Sequence, residues 1–173
     1  MEELKENVIS LDIKQIATKT FQLSIFVALA IIAPYFLNQL ITGSIVNALL
    51  FISASILGLE SAFFLCLIPS LISIYTGLLP LALAPMIPYI ITGNALLVLT
   101  FSKLKGKGFW LGAVSASLIK FIFIWSAGYI LVHSVLTGSV AKSVLIMISW
   151  PQLVTAISGA AIAYFVLKLI KKI

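Results

Sequence analysis

The chain reads as long apolar runs separated by short polar breaks. After residue 19 no charged side chain occurs until Glu60, an interval of forty residues. A membrane-crossing helix needs about twenty apolar residues, so this interval holds two. Pro34, Asn38, Gln39, Gly43 and Ser44 mark the break, which predicts spans at 20–37 and 43–58. Residues 61–102 form a second uncharged run. Gly77, Pro80, Pro85 and Pro88 interrupt it, and the expected spans are 61–77 and 86–102. The polar loop Lys103-Leu104-Lys105-Gly106-Lys107-Gly108 follows. A fifth span is expected at 109–133 with Lys120 as its single interior charge, then a mixed connector at 134–149 and a sixth span at 150–168. The expected fold class is all-α: a polytopic membrane protein of six transmembrane helices, forming one domain over 20–173 behind a lead-in at 1–19.

The lead-in carries Glu2, Glu3, Glu6 and Asp12 beside Lys5, Lys14 and Lys19. An acidic start without a following apolar h-region does not fit a signal peptide. Leu4, Val8 and Leu11 recur at helical spacing. Either a short helix lying on the membrane surface or a solvated lead-in fits that pattern.

Composition agrees with the pattern: 62% of residues are hydrophobic and 9% charged, against about a quarter charged in soluble domains. This excludes a disordered chain and a disulfide scaffold, and the single Cys66 offers no intrachain bridge. The net charge of +6 comes from lysines alone. With six spans both termini share one side with loops 2/3 and 4/5. Nine lysines then fall on that side and only Lys142 on the other. Positive residues near span ends stay cytoplasmic, so both termini are expected in the cytoplasm of a multi-pass cell-membrane protein. The same rule accounts for the basicity without a nucleic-acid partner.

Lys120 stands out because it lies near mid-span, where insertion costs roughly 2.5–3.5 kcal/mol. Two roles are open for it. It is a structural lysine hydrogen-bonded to carbonyls or to an amide such as Asn94 or Gln152, or it is a cationic anchor for an anionic or carbonyl-bearing ligand. Pro34, Pro80, Pro85, Pro88 and Pro151 cluster at the outer ends of spans one, four and six. They either terminate helices or shape an outward-facing pocket lined by spans four and six. Ser149 is expected to cap the sixth helix, with Pro151 in its first turn. The expected ligand site joins Lys120 with Asn94 and Gln152 as hydrogen-bond partners and Trp125, Trp150 and Tyr89 as apolar walls. Tyr89 and Trp150 equally fit interfacial anchors, and Asn47 and Asn94 equally fit ties between helices. Small residues recur every fourth position at Thr20, Ser24 and Ala28, and again at Thr155, Gly159 and Ala163. Such stripes serve packing within the bundle or docking of a second membrane protein.

Several chemistries lack their residues. Gly106-Lys107 is followed by Gly108, so no phosphate-binding loop is present. One His, one Cys and a single acid beyond residue 12 leave no transition-metal ligand set. Proton-driven transport usually uses buried carboxylates, and no span carries one mid-length. No cofactor and no enzymatic activity are expected. A solute-binding protein, an assembly subunit or a small channel remains.

Two stretches carry a resemblance: Leu83-Ala84-Pro85-Met86-Ile87-Pro88-Tyr89-Ile90-Ile91-Thr92-Gly93-Asn94-Ala95-Leu96 and Ser149-Trp150-Pro151-Gln152-Leu153-Val154-Thr155-Ala156. With six spans in a chain of this size, they resemble the substrate-binding S-components of energy-coupling factor transporters, in a subgroup sometimes labelled "iron hydrogenase". The resemblance implies a subunit that binds a vitamin-like micronutrient from outside. It also implies docking onto a membrane scaffold subunit with two cytoplasmic ATPases. The family docks through an Ala-xxx-Ala stripe in span one, and the corresponding stripe here is Ser24-xxx-Ala28, extended by Thr20. Metal-specific members use N-terminal histidines, which this chain lacks, so a small organic solute is expected. The alternative, from a different class, is a structural subunit of a larger membrane complex whose Lys120 pairs with a partner helix.

Overall fold

A computed structural model describes residues 2–134 and 145–173, with side chains described from residue 13 onward apart from Ala82. The described residues are mostly helical, without strands: α1 Glu2–Ile32, α2 Gln39–Ile56, α3 Leu59–Tyr75, α4 Ile87–Leu104, α5 Phe109–Ser134 and α6 Trp150–Leu169. Three short 3-10 turns join them, at Ala33–Phe36, Leu81–Met86 and Lys105–Lys107. Five helical segments are long and apolar enough to cross a membrane, and α3, at 17 residues, falls just short. Phe21, Leu71, Ile122, Ile130 and Phe165 are all more than half exposed on the outer surface. Apolar exposure on this scale suits lipid rather than water.

Local sequence accounts for the boundaries. α2 begins at Gln39 rather than residue 43, because the Asn38 side chain accepts from the backbone N–H groups of Leu40 and Ile41 at 2.9 and 3.2 Å. Ser149 does not cap α6 with its side chain; its hydroxyl donates instead to the Ile146 carbonyl in the preceding turn. Pro151 does occupy the first turn. Between Pro80 and Pro88 the chain takes a 3-10 path before α4 begins, which is the irregularity that the prolines predict. The lead-in is not a separate surface helix, since α1 runs unbroken from Glu2 to Ile32. The expected connector and Lys142 fall largely outside the described residues.

α2 is the central helix. Ten of its residues are buried, and it packs most closely on α6. Small residues make that approach possible. A Cβ at Gly159 would lie 2.6 Å from the Asn47 Cβ and 2.8 Å from the Ala48 amide nitrogen, and a Cβ at Gly43 would lie 2.8 Å from the Thr155 Cγ2. The stripe of Thr155, Gly159 and Ala163 is therefore spent on packing inside the bundle. Thr20, Ser24 and Ala28 are all exposed on peripheral α1.

The core divides into two apolar clusters. One surrounds Phe51, Phe101 and Leu97, with Phe109 packed against it; the ring centroids of Phe51–Phe101 and Phe101–Phe109 are 4.9 and 5.4 Å apart in edge-on contact. The other gathers Leu79, Leu83, Met86, Ile124 and Ile148 where α2, α4 and α6 begin. Replacing Gly159 with Leu should destabilise the fold by about 1–3 kcal/mol through overpacking. Ala28→Leu on the exposed stripe should stay within about 0.5 kcal/mol. Thermal unfolding of the two variants in detergent, read by tryptophan fluorescence, checks the contrast.

Candidate functional site

Lys120 lies on the buried stripe of α5, in line with Gly112, Ala113, Ala116, Ser117, Ile124 and Gly128. These positions recur every three or four residues, so the helical period that buries the small residues also turns the lysine inward. Its side chain is 3% exposed. The ammonium donates to the Oδ1 of Asn47 on α2 and of Asn94 on α4, both at 2.6 Å. Asn47 passes the network on, its Nδ2 donating to the Thr155 Oγ1 at 3.4 Å, and the Thr155 hydroxyl donates to the Gln152 carbonyl at 3.1 Å. One polar layer thus ties α2, α4, α5 and α6 together between the apolar clusters.

Above this layer is a cavity of about 100 Å³. Lys120, Asn47 and Asn94 form its floor, and Val46, Pro69, Leu78, Leu79, Ile90 and Met147 supply apolar wall. Its mouth is at the end of the bundle where α2, α4 and α6 begin. There the Met147 carbonyl accepts from Gln39 Nε2 at 2.8 Å and from Gln152 Nε2 at 3.1 Å, which joins the starts of α2 and α6. Gly77, in the left-handed region with φ +77°, turns the chain from α3 into the Leu78–Leu79 segment beside the cavity. On the far side, the Phe51–Phe101–Phe109 contacts fill the bundle.

Of the expected site residues, Lys120, Asn94 and Gln152 are brought together at the cavity. Trp125, Trp150 and Tyr89 are not: they are 47%, 60% and 38% exposed on the outer surface and form no part of its wall. Trp125 is five residues beyond Lys120, which rotates it well off the buried face, and its ring stacks on Tyr129 at 5.9 Å instead. The wall also draws on α2 and α3, which the sequence reading left out of the site. Asn47, read only as a possible helix tie, accepts directly from Lys120. Pro69, inside α3, removes a backbone donor where the helix borders the cavity. A proline at the middle of the expected span 61–77 was the signal for it.

Lys120 does not face outward. Among the described residues no group of three or more His, Cys, Asp or Glu side chains is placed to hold a metal ion. Comparison with family models, with curated proteins and with solved structures gives no match to this chain.

Asn94→Leu should cost about 1–3 kcal/mol by removing one of the two acceptors of a buried ammonium. Lys120→Met in the same chain should recover most of that loss, because the layer then has no buried ammonium to satisfy. A double-mutant cycle on thermal stability checks it, and additive losses would mean that the two side chains are not coupled.

Proposed function

We propose that this chain is the substrate-binding subunit of a membrane uptake system, taking a small organic solute from outside the cell. The observation that carries the reading is Lys120, a buried cation at the floor of a cavity reached from one end of the bundle. Ionisable residues inside a transmembrane bundle are expensive and mark ligand or ion paths by default. A largely apolar wall with a few convergent polar groups is the usual composition of a small-molecule site.

In this reading both termini are cytoplasmic, as the lysine distribution argues, and the cavity mouth faces outward. The chain has no phosphate-binding loop, and its resemblance to energy-coupling factor S-components supplies the energy source: a membrane scaffold with two cytoplasmic ATPases. The exposed Thr20, Ser24 and Ala28 on α1 give the scaffold a smooth face to dock on. The cavity volume limits the solute. At about 100 Å³ it is smaller than the roughly 300–1,000 Å³ pockets of drug-sized ligands, so a whole vitamin-sized molecule enters only if Leu78, Leu79 or Met147 moves aside.

One observation favours a second reading. The two amide oxygens already held by Lys120 are what a purely structural polar layer requires, as in a subunit of a larger complex with no ligand of its own. A channel is the poorer fit, because the packed phenylalanines below the polar layer leave no continuous path.

Native mass spectrometry of the purified chain separates these. The solute-binding reading expects a small molecule retained on the monomer, with affinity falling more than tenfold, about 1.4 kcal/mol, in Lys120→Ala. Retention of no molecule, with stability found only inside a larger assembly, would favour the structural reading. For docking, Ser24→Phe should abolish co-purification with scaffold and ATPase subunits while leaving the unfolding temperature of the isolated chain unchanged.

A further inference from the structure

The charge inventory around Lys120 is one-sided. The chain has five acids, and the last of them in sequence is Glu60, in the first turn of α3 at the end away from the cavity mouth. Among the described residues no carboxylate lines the cavity, and Lys120 is the one charged side chain that does. Residues 61–173 contain no Asp or Glu, so none of these spans supplies a side-chain carboxylate. Two neutral amide oxygens solvate the ammonium without cancelling its charge, and a buried cation without an opposite charge is electrostatically incomplete.

The unspent hydrogen-bonding capacity beside Lys120 points the same way. An ammonium carries three donors, and Asn47 and Asn94 take two of them. Asn94 is 3% exposed and accepts through its Oδ1, while its Nδ2 makes no hydrogen bond among the described residues. Thr42, Ser73 and Thr155 donate their hydroxyls to backbone carbonyls, of Ala33, Pro69 and Gln152 respectively. Those hydroxyls keep only acceptor lone pairs for the cavity; the unspent groups at Lys120 itself are donors, the third ammonium N–H and the Asn94 amide. A carboxylate is an acceptor only.

We infer that the cavity selects a small organic monocarboxylate, held at Lys120 and the Asn94 amide with its short apolar body against Val46, Pro69 and Leu79. This inference rests on the solute-binding reading above. One negative charge neutralises the floor. A dianion would leave an excess charge in a site of low dielectric, and an organic cation would add a second positive charge with no acid to meet it. A neutral amide forfeits the charge pairing.

The test uses the full chain purified in detergent at pH 7, titrated with propionate, propionamide, propylammonium, malonate and chloride as sodium or chloride salts at constant ionic strength. Calorimetry and the unfolding temperature are the readouts, since a ligand that binds the folded state raises the latter by mass action. Propionate binding at least tenfold more tightly than every other probe is the expected result, with the preference lost in Lys120→Met. Propionamide equal to propionate would overturn the charge selection, as would a preference for malonate or propylammonium. Chloride matching propionate would show a simple anion site and overturn the organic assignment. The wild-type series decides the matter even if Lys120→Met fails to fold. A neutral or cationic molecule retained in native mass spectrometry would overturn this inference and leave the solute-binding reading standing. No retained molecule and no response to any probe would overturn both.

Discussion

A lysine buried where no described residue offers it a carboxylate sets the terms for the rest of the bundle. Its ammonium needs acceptors, and Asn47 and Asn94 supply them from two different helices at 2.6 Å. That requirement fixes the rotation of α2, α4 and α5 about their own axes, because each must present one polar side chain at the same depth. Apolar packing alone specifies such rotations weakly between helices surrounded by lipid, where neighbouring chains and acyl tails are equally apolar. Extending the network through Thr155 brings in α6. Gly43 and Gly159 then let α2 and α6 approach closely enough for the Asn47–Thr155 contact to form.

The two apolar clusters differ in consequence. The phenylalanine cluster packs rings edge to edge and closes the bundle below the polar layer. The other is built largely from aliphatic side chains, and part of it comes from the 3-10 segment and the Leu79 turn rather than from long helices. Access to Lys120 is therefore governed by short, irregular backbone on one side and by packed helix on the other. Local opening is easier in segments with few buried contacts and irregular hydrogen bonding, so the mouth is the side on which exchange with the surroundings costs less.

Much of the architecture was legible in the sequence because the signal was long. Uncharged runs of forty residues and the punctuating prolines and glycines give six helices whose bounds differ from those observed by a few residues, apart from the start of α1. Where the bounds shifted, a local interaction was responsible: the Asn38 side chain draws α2 back to Gln39, and the Ser149 hydroxyl turns toward Ile146 rather than capping α6. The site was legible in part. Lys120, Asn94 and Gln152 could be named because polar residues in apolar spans are few. The tryptophans and Tyr89 misled because an aromatic ring suits a cavity wall and an outer surface equally well, and only helix rotation separates the two. That rotation was readable on α5, where Gly112, Ala113, Ala116 and Ser117 mark the face on which Lys120 lies and Trp125 does not. α2 gave no such clue, since every residue from Val46 to Ala54 is buried and no single face stands out there.

The peripheral place of α1 separates two kinds of constraint on the chain. No described α1 side chain lines the cavity, and the span Ile13–Phe36, which holds most of α1, is the least buried of the apolar spans. Its outer face can consequently accept substitutions without disturbing the Lys120 layer, and the cavity wall can change without altering that face. The outer face of α1 and the wall of the cavity are thus written in separate sets of residues, each able to vary while the other stays fixed.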